Sequence, residues 1–431
     1  MREMKDSGIE WIGAIPQDWK TDRLQWHLKE INVSNNPIQT KNILSLTIEA
    51  GVIPYAEKGN QGNKAKEDYS QYKIAFPDTL VINSMNVIIG AVGISQYFGC
   101  VSPVYYVFEP IEGTDLRYIY YLFTNTGFQK EMRKYAKGIL EIRLRISSND
   151  MLKRIVPSPP FKEQQRIADY LDKMCAEIDT VLEKTRASIE EYKKLKQAVI
   201  TQAVTKGIRG DRPMKDSGIE WIGDIPAEWE IRKIFRVINK VGDIDHYMPD
   251  SVDDGIPYLM TGDLQEKLSD VNLKRCKKVS FQDYEMLSSK IRVSKGDVIF
   301  ARYATIGTVC FVDTEDNILV SYACLIIKPN SSLLYGEFLF YYLKSTAFLE
   351  EIKQYIKANT QANVGLDSVS KAKIALPSVH EQQKIVEYLR DKCKKIDALI
   401  AKKQQYITEI ENYKKSLIYE YVTGKKEVLP L

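Results

Sequence analysis

The sequence predicts an α+β protein with pseudo-two-fold symmetry, in which two repeated globules are separated by two long helices that pair as an antiparallel coiled coil. The first observation is a near-verbatim repeat, MKDSGIEWIGAIPQDWK at 4–20 and MKDSGIEWIGDIPAEWE at 214–230. The second is a repeated helical segment, EQQRIADYLDKMCAEID at 163–179 and EQQKIVEYLRDKCKKID at 381–397. Because both segments recur in the same order, they indicate a tandem duplication of a whole half.

Each half begins with a globule in which short β-rich runs alternate with turn signals. In the first globule ILSLTIEAGVIPY, DTLVINSMNVIIGAVGI and CVSPVYYVFEP are predicted strands, and a helix is predicted at about 115–136. In the second, GIPYLMTGDL, GDVIFARYATIGTVCFV and LVSYACLIIKP are the corresponding strands. The hydrophobic pattern is kept between the halves, but the polar residues differ. We interpret this as a shared scaffold with divergent surfaces; drift of an old duplication under core constraint is the alternative.

An uninterrupted helical pattern follows each globule. Neither Pro nor Gly occurs from 163 to 206 or from 381 to 423, and apolar residues recur near the 3.5-residue spacing of a coiled coil. The predicted stripes are Ile167, Leu171, Met174, Ile178, Val181, Thr185, Tyr192, Leu195 and Val199, and Ile385, Leu389, Ile396, Leu399, Tyr406, Ile410, Tyr413 and Leu417. A rod of about 66 Å cannot bury such a stripe alone, so the two rods should pair. A globule separates them in sequence, which makes antiparallel pairing the simplest arrangement.

These patterns divide the chain into four segments. Residues 1–156 and 214–375 are the predicted globules, 157–213 hold the first spacer helix with its linker, and 376–431 hold the second spacer helix. VPSPPFKEQQ and ALPSVHEQQ contain the prolines that mark each border between globule and helix. KGIRGDRPMKDSG is the predicted hinge into the second globule.

Composition excludes several classes of protein. Charged residues are 27% and hydrophobic residues 44% of the chain, which is ordinary for a globular protein, and no apolar run is long enough to span a membrane. The N-terminal sequence MREMKDSGIEW has no hydrophobic signal region, and the six cysteines form no CxxC, so we expect a reduced cytoplasm. A net charge of +4 is low for a protein that holds DNA alone, so DNA binding would need basic residues focused in loops or supplied by partner subunits.

Motifs of intrinsic catalysis are missing from the sequence. Its three histidines form no HExxH, no cysteine–histidine cluster and no plausible triad. SPPF at 158–161 resembles the motif with which adenine methyltransferases hold a flipped base, but the second half has PSVH there, and the glycine-rich loop for S-adenosylmethionine is absent. There is no P-loop and no convincing PD-x-[DE]xK nuclease arrangement. We therefore predict a non-catalytic chain without a metal or cofactor of its own.

Together these features resemble the DNA-specificity subunit of type I restriction–modification systems over essentially the full length. The motifs that carry the resemblance are W-I-G-x-I-P-x-x-W at 11–19 and 221–229, P-x-x-x-E-Q-Q at each helix start, and the KGDVIFARYATIG-like strand pair. Each motif is short, but their doubled occurrence in the order globule–helix–globule–helix is specific. The first half departs at 140–150, where LEIRLRISSND replaces the NTQANVGLDSV type of loop at 359–369.

The resemblance implies two target-recognition domains on double-stranded DNA, two bound modification (methyltransferase) subunits, and restriction/translocase subunits that join them. It implies that S-adenosylmethionine and ATP are used only in those partners. The expected function is recognition of a bipartite, asymmetric gapped target, with the helices setting the gap. The alternative is a helical scaffold that organises other proteins without reading DNA sequence. Sequence-specific DNA binding distinguishes the two.

Candidate DNA contacts lie where the repeat keeps its scaffold but changes its polar residues. Arginine can bind guanine through two hydrogen bonds, Asn or Gln can bind adenine, and lysines in polar loops contact phosphates. The candidates are Asn83, Ser84, Asn86, Arg143 and Arg145 in the first globule, Arg302, Tyr303, Thr360, Gln361 and Asn363 in the second, and Lys64 and Lys66 for phosphates. A solvated loop side chain is the alternative for each. The tyrosines of the predicted helices are instead expected in the core, namely Tyr118, Tyr120, Tyr121, Tyr341 and Tyr342.

Overall fold

The computed structural model describes residues 2–59, 68–138, 144–303, 306–355 and 364–428. The chain forms two compact units, a first unit made of Met1–Arg186 with Gln405–Leu431 and a second unit made of Ala187–Gln404. Each unit therefore contains one globule and a segment of each long helix.

The first globule is built from short strands and short helices. Its strands are β1 (Met4–Asp6), β2 (Ala14–Pro16), β3 (Lys20–Arg23), β4 (Leu28–Ile31), β5 (Leu44–Thr47), β6 (Gly51–Pro54), β7 (Lys73–Ala75), β8 (Thr79–Asn83), β9 (Val92–Ser95), β10 (Gly99–Val101), β11 (Tyr105–Pro110) and β12 (Ile155–Ser158). Its helices are α1 (Leu116–Thr124), α2 (Thr126–Arg133) and α3 (Ser148–Leu152), and the long helix α4 (Phe161–Lys206) follows.

The second globule repeats this pattern. Its strands are β13 (Met214–Asp216), β14 (Asp224–Pro226), β15 (Glu230–Lys233), β16 (Ile238–Gly242), β17 (Ile256–Leu259), β18 (Lys277–Val279), β19 (Val298–Ala301), β20 (Val309–Phe311), β21 (Leu319–Val320), β22 (Cys324–Pro329) and β23 (Lys373–Leu376). Its helices are α5 (Phe281–Ser288), α6 (Gly336–Lys344), α7 (Thr346–Lys353) and α8 (Leu366–Lys371), and the long helix α9 (Val379–Val422) follows. Every predicted β-rich run contains a strand, and all of them except GIPYLMTGDL are divided into two strands.

The main sheets of the two globules have the same topology. The strand orders are β4-β11-β8-β9 and β16-β22-β19-β20, and all neighbours are antiparallel. In the first sheet β4 and β8 end where β11 begins, and in the second β16 and β19 end where β22 begins. We call this the loop end of each sheet. By register, Ser84 and Arg302 occupy equivalent positions there, as do Asn32 and Asp243.

The helix predicted at 115–136 is two helices, because Asn125 interrupts it. The Asn125 side-chain oxygen accepts hydrogen bonds from the backbone N–H groups of Gly127 at 2.8 Å and Phe128 at 3.1 Å, which caps the start of α2. Ser345 separates α6 from α7 in the same way.

The helical tyrosines mostly pack in the core, as predicted. Tyr118, Tyr121, Tyr341 and Tyr342 are 5% exposed or less, whereas Tyr120 is half-buried. Burial raises the pKa of each of these hydroxyls above its usual value. They are therefore scaffold residues.

Both long helices form without interruption, and their segments pair antiparallel within each unit. In the first unit, Tyr170, Asp179 and Arg186 of α4 contact Tyr421, Lys414 and Glu411 of α9, so α4 numbers rise as α9 numbers fall. In the second unit, Tyr192 contacts Lys403 and Lys196 contacts Asp397 in the same sense. The Asp179–Lys414 and Lys196–Asp397 pairs occupy repeat-equivalent positions. No helix in the described ranges is both long and apolar enough to cross a membrane.

The buried seam of these helices differs from the predicted stripe. The α4 seam runs through Leu171, Cys175, Ile178, Leu182, Thr185 and Ile189, which alternate in steps of four and three residues. The predicted stripe coincides with this seam at Leu171, Ile178 and Thr185, but it takes Met174 and Val181 in place of Cys175 and Leu182, because apolar residues occupy neighbouring positions. The predicted stripe members that are 40% to 52% exposed instead are Val181, Leu195, Leu399, Tyr406 and Tyr413.

Candidate nucleic-acid interface

The repeated tryptophan and glutamate motifs form the joint between each globule and its helix. Trp19 is fully buried and donates its indole N–H to Glu163, the glutamate of EQQ, at 3.0 Å. Arg2 binds the same carboxylate at 2.5 Å and Asp18 at 2.7 Å. The hydrogen bond to Glu163 raises the pKa of the Arg2 guanidinium above its usual range. This network, rather than a ligand site, explains the repeated motif.

The second unit reproduces the joint residue by residue. Trp229 donates to Glu381 at 3.0 Å, and Arg212 binds Glu381 at 2.6 Å and Glu228 at 3.0 Å. The first Gln of EQQ also accepts an equivalent backbone hydrogen bond in both units. Gln164 accepts from the Asp115 N–H at 3.0 Å, and Gln382 accepts from the Tyr335 N–H at 2.7 Å. Both amides therefore attach the start of a long helix to the start of a globule helix.

The tryptophan motif also receives the end of a long helix. Gly424, just after α9, has a φ of +71°, and a Cβ there would lie 2.4 Å from a Pro16 ring carbon. The Tyr118 hydroxyl donates to the carbonyl of Val422 at 2.9 Å. The C-terminal end of α9 is thus fastened to the first globule. Gly207 lies against Trp229 in the second unit.

One charge pair of the joint is inverted between the units. In the first, Arg117 of α1 binds Asp169 at 2.7 Å and Asp172 at 2.9 Å on α4. In the second, Glu337 of α6 takes the place of Arg117, and Arg390 of α9 takes the place of Asp172. Arg390 Nε donates to Glu337 at 2.7 Å. The two joints therefore share geometry but not charge.

Equivalent backbone hydrogen bonds bring the predicted DNA-contact segments together at each loop end. In the first unit the N–H of Ile146 donates to the carbonyl of Ser84 at 3.2 Å, which joins 83–86 to the segment around Arg145. In the second, the N–H of Val364 donates to the carbonyl of Arg302 at 3.1 Å. Segments about 60 residues apart in sequence are therefore neighbours in both units.

In the first unit, two of the four described candidates face inward. The Asn83 side chain accepts from the N–H of Met85 at 3.1 Å, and the Ser84 hydroxyl donates to the carbonyl of Val104 at 2.8 Å. Both residues are buried. Asn86 and Arg145 are exposed, and the Arg145 backbone pairs with Lys137 in both directions. Asn86 and Arg145 therefore present polar groups to solvent, whereas Asn83 and Ser84 shape the loop.

In the second unit, Arg302 is engaged at the loop end. Its guanidinium forms an ion pair with Asp243 and donates to the Tyr303 hydroxyl at 3.3 Å. The guanidinium carbon lies 4.9 Å from the centre of the Tyr303 ring. Arg302 is 9% exposed and Tyr303 is half-buried.

The other six candidates lie outside the described residues. They are Lys64, Lys66, Arg143, Thr360, Gln361 and Asn363.

Sequence reasoning missed several loop-end residues. Lys73 donates to the carbonyl of Tyr105 at 3.1 Å and lies 5.5 Å from the Tyr106 ring centre. Burial lowers the pKa of Lys73, Glu30 opposes that shift, and the charge of Arg145 adds to it. In the second unit, the His246 ring stacks on Tyr322 at 4.7 Å. Lys73 begins β7, and Asp243 directly follows β16. Their positions at strand ends were the signal from which the sequence could have identified them.

The described residues offer no arrangement suited to metal or thiol chemistry. Within those ranges, no group of three or more His, Cys, Asp or Glu side chains is placed to hold a metal ion. Burial raises the pKa of the Cys310 and Cys324 thiols to about 12, which disfavours the nucleophilic thiolate.

Comparison with known proteins agrees with this architecture. A family model described as "Type I restriction modification DNA specificity domain" matches residues 16–191 and 226–412. The EcoBI specificity subunit of Escherichia coli is 23% identical over 65% of this chain, and the chain spans only 60% of that relative. The putative type I restriction enzyme MjaX specificity subunit of Methanocaldococcus jannaschii is 26% identical over 97% of this chain and 96% of that protein.

A solved structure extends the likeness to the fold. A chain from work on complex assembly and conformational transition of the type I R-M system aligns with a TM-score of 0.71 at 14% identity, covering 96% of this chain and 99% of that one. Since the family model matches both halves over most of the length, this protein belongs to the family of type I restriction–modification specificity subunits, the non-catalytic subunits that recognise DNA.

Proposed function

We propose that this chain recognises a bipartite, asymmetric gapped DNA target, reading one half-site with each globule, and directs methyltransferase and restriction subunits to it. The observation that carries the proposal is the contrast between the two loop ends. Their sheets have the same strand order and the same joining hydrogen bond. Their side chains differ, with Asn86 and Arg145 in one and Arg302 and Tyr303 in the other. One scaffold with two surface chemistries suits two different half-sites.

The polar groups at the two loop ends have the chemistry of base recognition. An asparagine amide can form two hydrogen bonds with adenine, and a guanidinium can form two with guanine. We propose Asn86, Arg145, Arg302 and Tyr303 as base contacts and assign loop-shaping roles to Asn83 and Ser84. The candidates that continue the same loops or supply phosphate contacts remain part of the proposal, namely Lys64, Lys66, Arg143, Thr360, Gln361 and Asn363.

The domain limits of the proposal follow the joints. We propose 1–156 and 214–375 as target-recognition domains, and 157–213 and 376–431 as spacer segments. The networks around Glu163 and Glu381, within the first helical turn of each spacer, support these limits. Helices of 46 and 44 residues, with a rise of about 1.5 Å per residue, are long enough to act as rulers for the gap between half-sites.

Exposed apolar side chains on the helices suggest where the methyltransferase subunits dock. In the first unit these are Val181, Tyr406 and Tyr413, which are 40%, 49% and 52% exposed. The repeat-equivalent residues of the second unit are Leu399, Ser188 and Leu195, and both leucines are exposed. Two equivalent surfaces fit two copies of one partner. S-adenosylmethionine and ATP would then act only in the partner subunits of this cytoplasmic complex.

The proposal is tested by methylome sequencing of a host that carries this gene with its methyltransferase partner, against a host that lacks only this gene. The expected result is a gapped, asymmetric methyladenine motif that depends on this chain. If methylation is unchanged while the partner is active, the alternative of a helical scaffold without DNA readout is favoured.

A further inference from the structure

We infer that Asp243 is a positioning residue, which holds Arg302 in the orientation that distinguishes guanine from other bases in the half-site read by the second globule. This inference rests on the proposed function. It adds a residue that sequence reasoning did not select and assigns it an effect on one half-site only.

The sheet topology brings the two residues together. Asp243 directly follows β16 and Arg302 directly follows β19, and these strands flank β22 and end at the same loop end. A guanidinium N–H of Arg302 donates to the Asp243 carboxylate. The Arg302 and Asp243 side chains are only 11% and 23% exposed. A charge-assisted hydrogen bond with so little access to water is stronger than one on an open surface.

Arg302 is held by its backbone as well. Its N–H donates to the carbonyl of Ala323 at 3.0 Å, and its carbonyl accepts from Val364 at 3.1 Å. Its guanidinium lies against the Tyr303 ring and donates to the Tyr303 hydroxyl. Asp243 therefore completes a set of contacts that limits the rotation of a long, flexible side chain.

Orientation matters because guanine recognition is geometric. Two parallel N–H groups must meet the O6 and N7 acceptors, and a guanidinium that rotates freely can bind other acceptors or phosphates instead. A side chain that is already ordered also loses less conformational entropy when it binds. Asp243 should thus contribute more to discrimination between bases than to total affinity.

An aromatic ring and a second ion pair lie near Asp243. His246 Nε2 lies 4.0 Å from the Asp243 carboxylate, while its ring stacks on Tyr322. The next carboxylate, Asp245, is paired with Lys290. In the first unit the equivalent positions are Asn32 and Ser84, and Ser84 donates to a backbone carbonyl. An effect of Asp243 should therefore be confined to the half-site of the second globule.

The test measures binding of the full-length chain, in complex with its methyltransferase partner, to duplexes in which each base of the target is varied in turn. Asp243→Asn should reduce discrimination at one or two adjacent positions of one half-site by roughly tenfold, the scale of one bidentate base contact. The other half-site should be unchanged. Asp250→Asn is the matched control, because it removes the same charge from an exposed position of the same loop.

Arg302→Ala provides the second arm. If Asp243 acts through Arg302, Asp243→Asn should have no further effect on discrimination in the Arg302→Ala background. Asp243→Glu keeps the charge but moves the carboxylate, so an intermediate loss is expected even if the Asn variant folds poorly. Thermal unfolding of each variant separates a folding defect from altered recognition.

An unchanged base profile in Asp243→Asn would overturn the inference, as would a uniform loss of affinity for all sequences. Neither result would affect the proposed function. That function itself fails if the wild-type complex shows no base preference in either half-site.

Discussion

Replacing Arg390 with Asp tests whether the inverted charge pair holds the second globule to α9. In the native unit, the fully buried Glu337 carboxylate accepts from Arg390. Arg390→Asp places a second carboxylate beside it. The first unit shows that the same joint forms with Arg on the globule helix and Asp on the long helix. The double variant Glu337→Arg/Arg390→Asp should therefore recover part of the lost stability, since the new ion pair forms while Lys267 lies beside the new arginine.

The magnitude follows from burial and distance. Removing one partner of a buried ion pair costs about 3–5 kcal/mol. The Arg390 side chain is 50% exposed, and the Lys267 amine remains 3.9 Å from Glu337. We therefore expect about 2–3 kcal/mol for Arg390→Ala, below the value for a fully buried pair. Repulsion between two carboxylates about 4 Å apart adds about 1–4 kcal/mol, which gives about 3–7 kcal/mol for Arg390→Asp.

The assay must report on one unit, because a chain with two compact units has no single defined unfolding free energy. Hydrogen exchange of peptides from α6 and from the start of α9 provides this readout, and peptides from α1 serve as the internal control. Protection in the second unit should fall in the order wild type, Arg390→Ala, Arg390→Asp. If the double variant is no better protected than Arg390→Asp, the pairing argument is refuted.

Four other outcomes are expected. Trp19→Phe removes the N–H donor to Glu163 and should destabilise the first unit by about 1–3 kcal/mol in hydrogen exchange of its α1 peptides, whereas Trp26→Phe, at a residue 64% exposed, should change that protection by less than about 0.5 kcal/mol. Tyr413→Ala should weaken binding of the methyltransferase partner in titration calorimetry while leaving helicity intact. Deleting matched heptads from α4 and α9 should shorten the gap between the two half-sites of the methylated motif without changing the bases of either half-site. Changed bases would contradict the proposal that the helices set the gap. Burial raises the pKa of the Glu351 carboxyl, so the folded state binds more protons than the unfolded state. Stability therefore falls as pH rises through the pKa of the folded state. Glu351→Gln should make the melting temperature less dependent on pH, as measured by thermal unfolding at a series of pH values.

Sequence patterns that continue over many residues predicted the fold well, because each one reflects the local preference of the backbone for helix, strand or turn. The absence of Pro and Gly predicted both long helices, and strand-like runs between turn signals predicted the sheets. The seam was wrong in part, for example at Val181, because Val181 and Leu182 are adjacent apolar residues and only the partner helix decides which of them is buried. The break at Asn125 was missed because its side chain caps a helix where the hydrophobic pattern continues.

The candidate site was predicted less completely, since its contacts depend on tertiary structure. Ser84 was selected because it differs from its repeat partner, but its hydroxyl bonds a carbonyl 20 residues later. Arg302 was selected for its chemistry, whereas the Asp243 that holds it lies 59 residues earlier, with no local pattern joining them. Such residues meet because they follow strands that end at the same end of one sheet. Predicting which residues meet therefore requires the strand order.

The inverted pair of the joint also limits how such a protein can be rearranged. A globule moved from the second position to the first would bring Glu337 against Asp172, and the reverse exchange would bring Arg117 against Arg390. A chimera that transplants a globule together with about the first four turns of its long helix carries the matching charge and avoids the clash. The shared Trp–Glu–Arg network gives both joints the same shape, so either globule could fit either helix. The inverted charge pair, in contrast, matches each globule to its own helix.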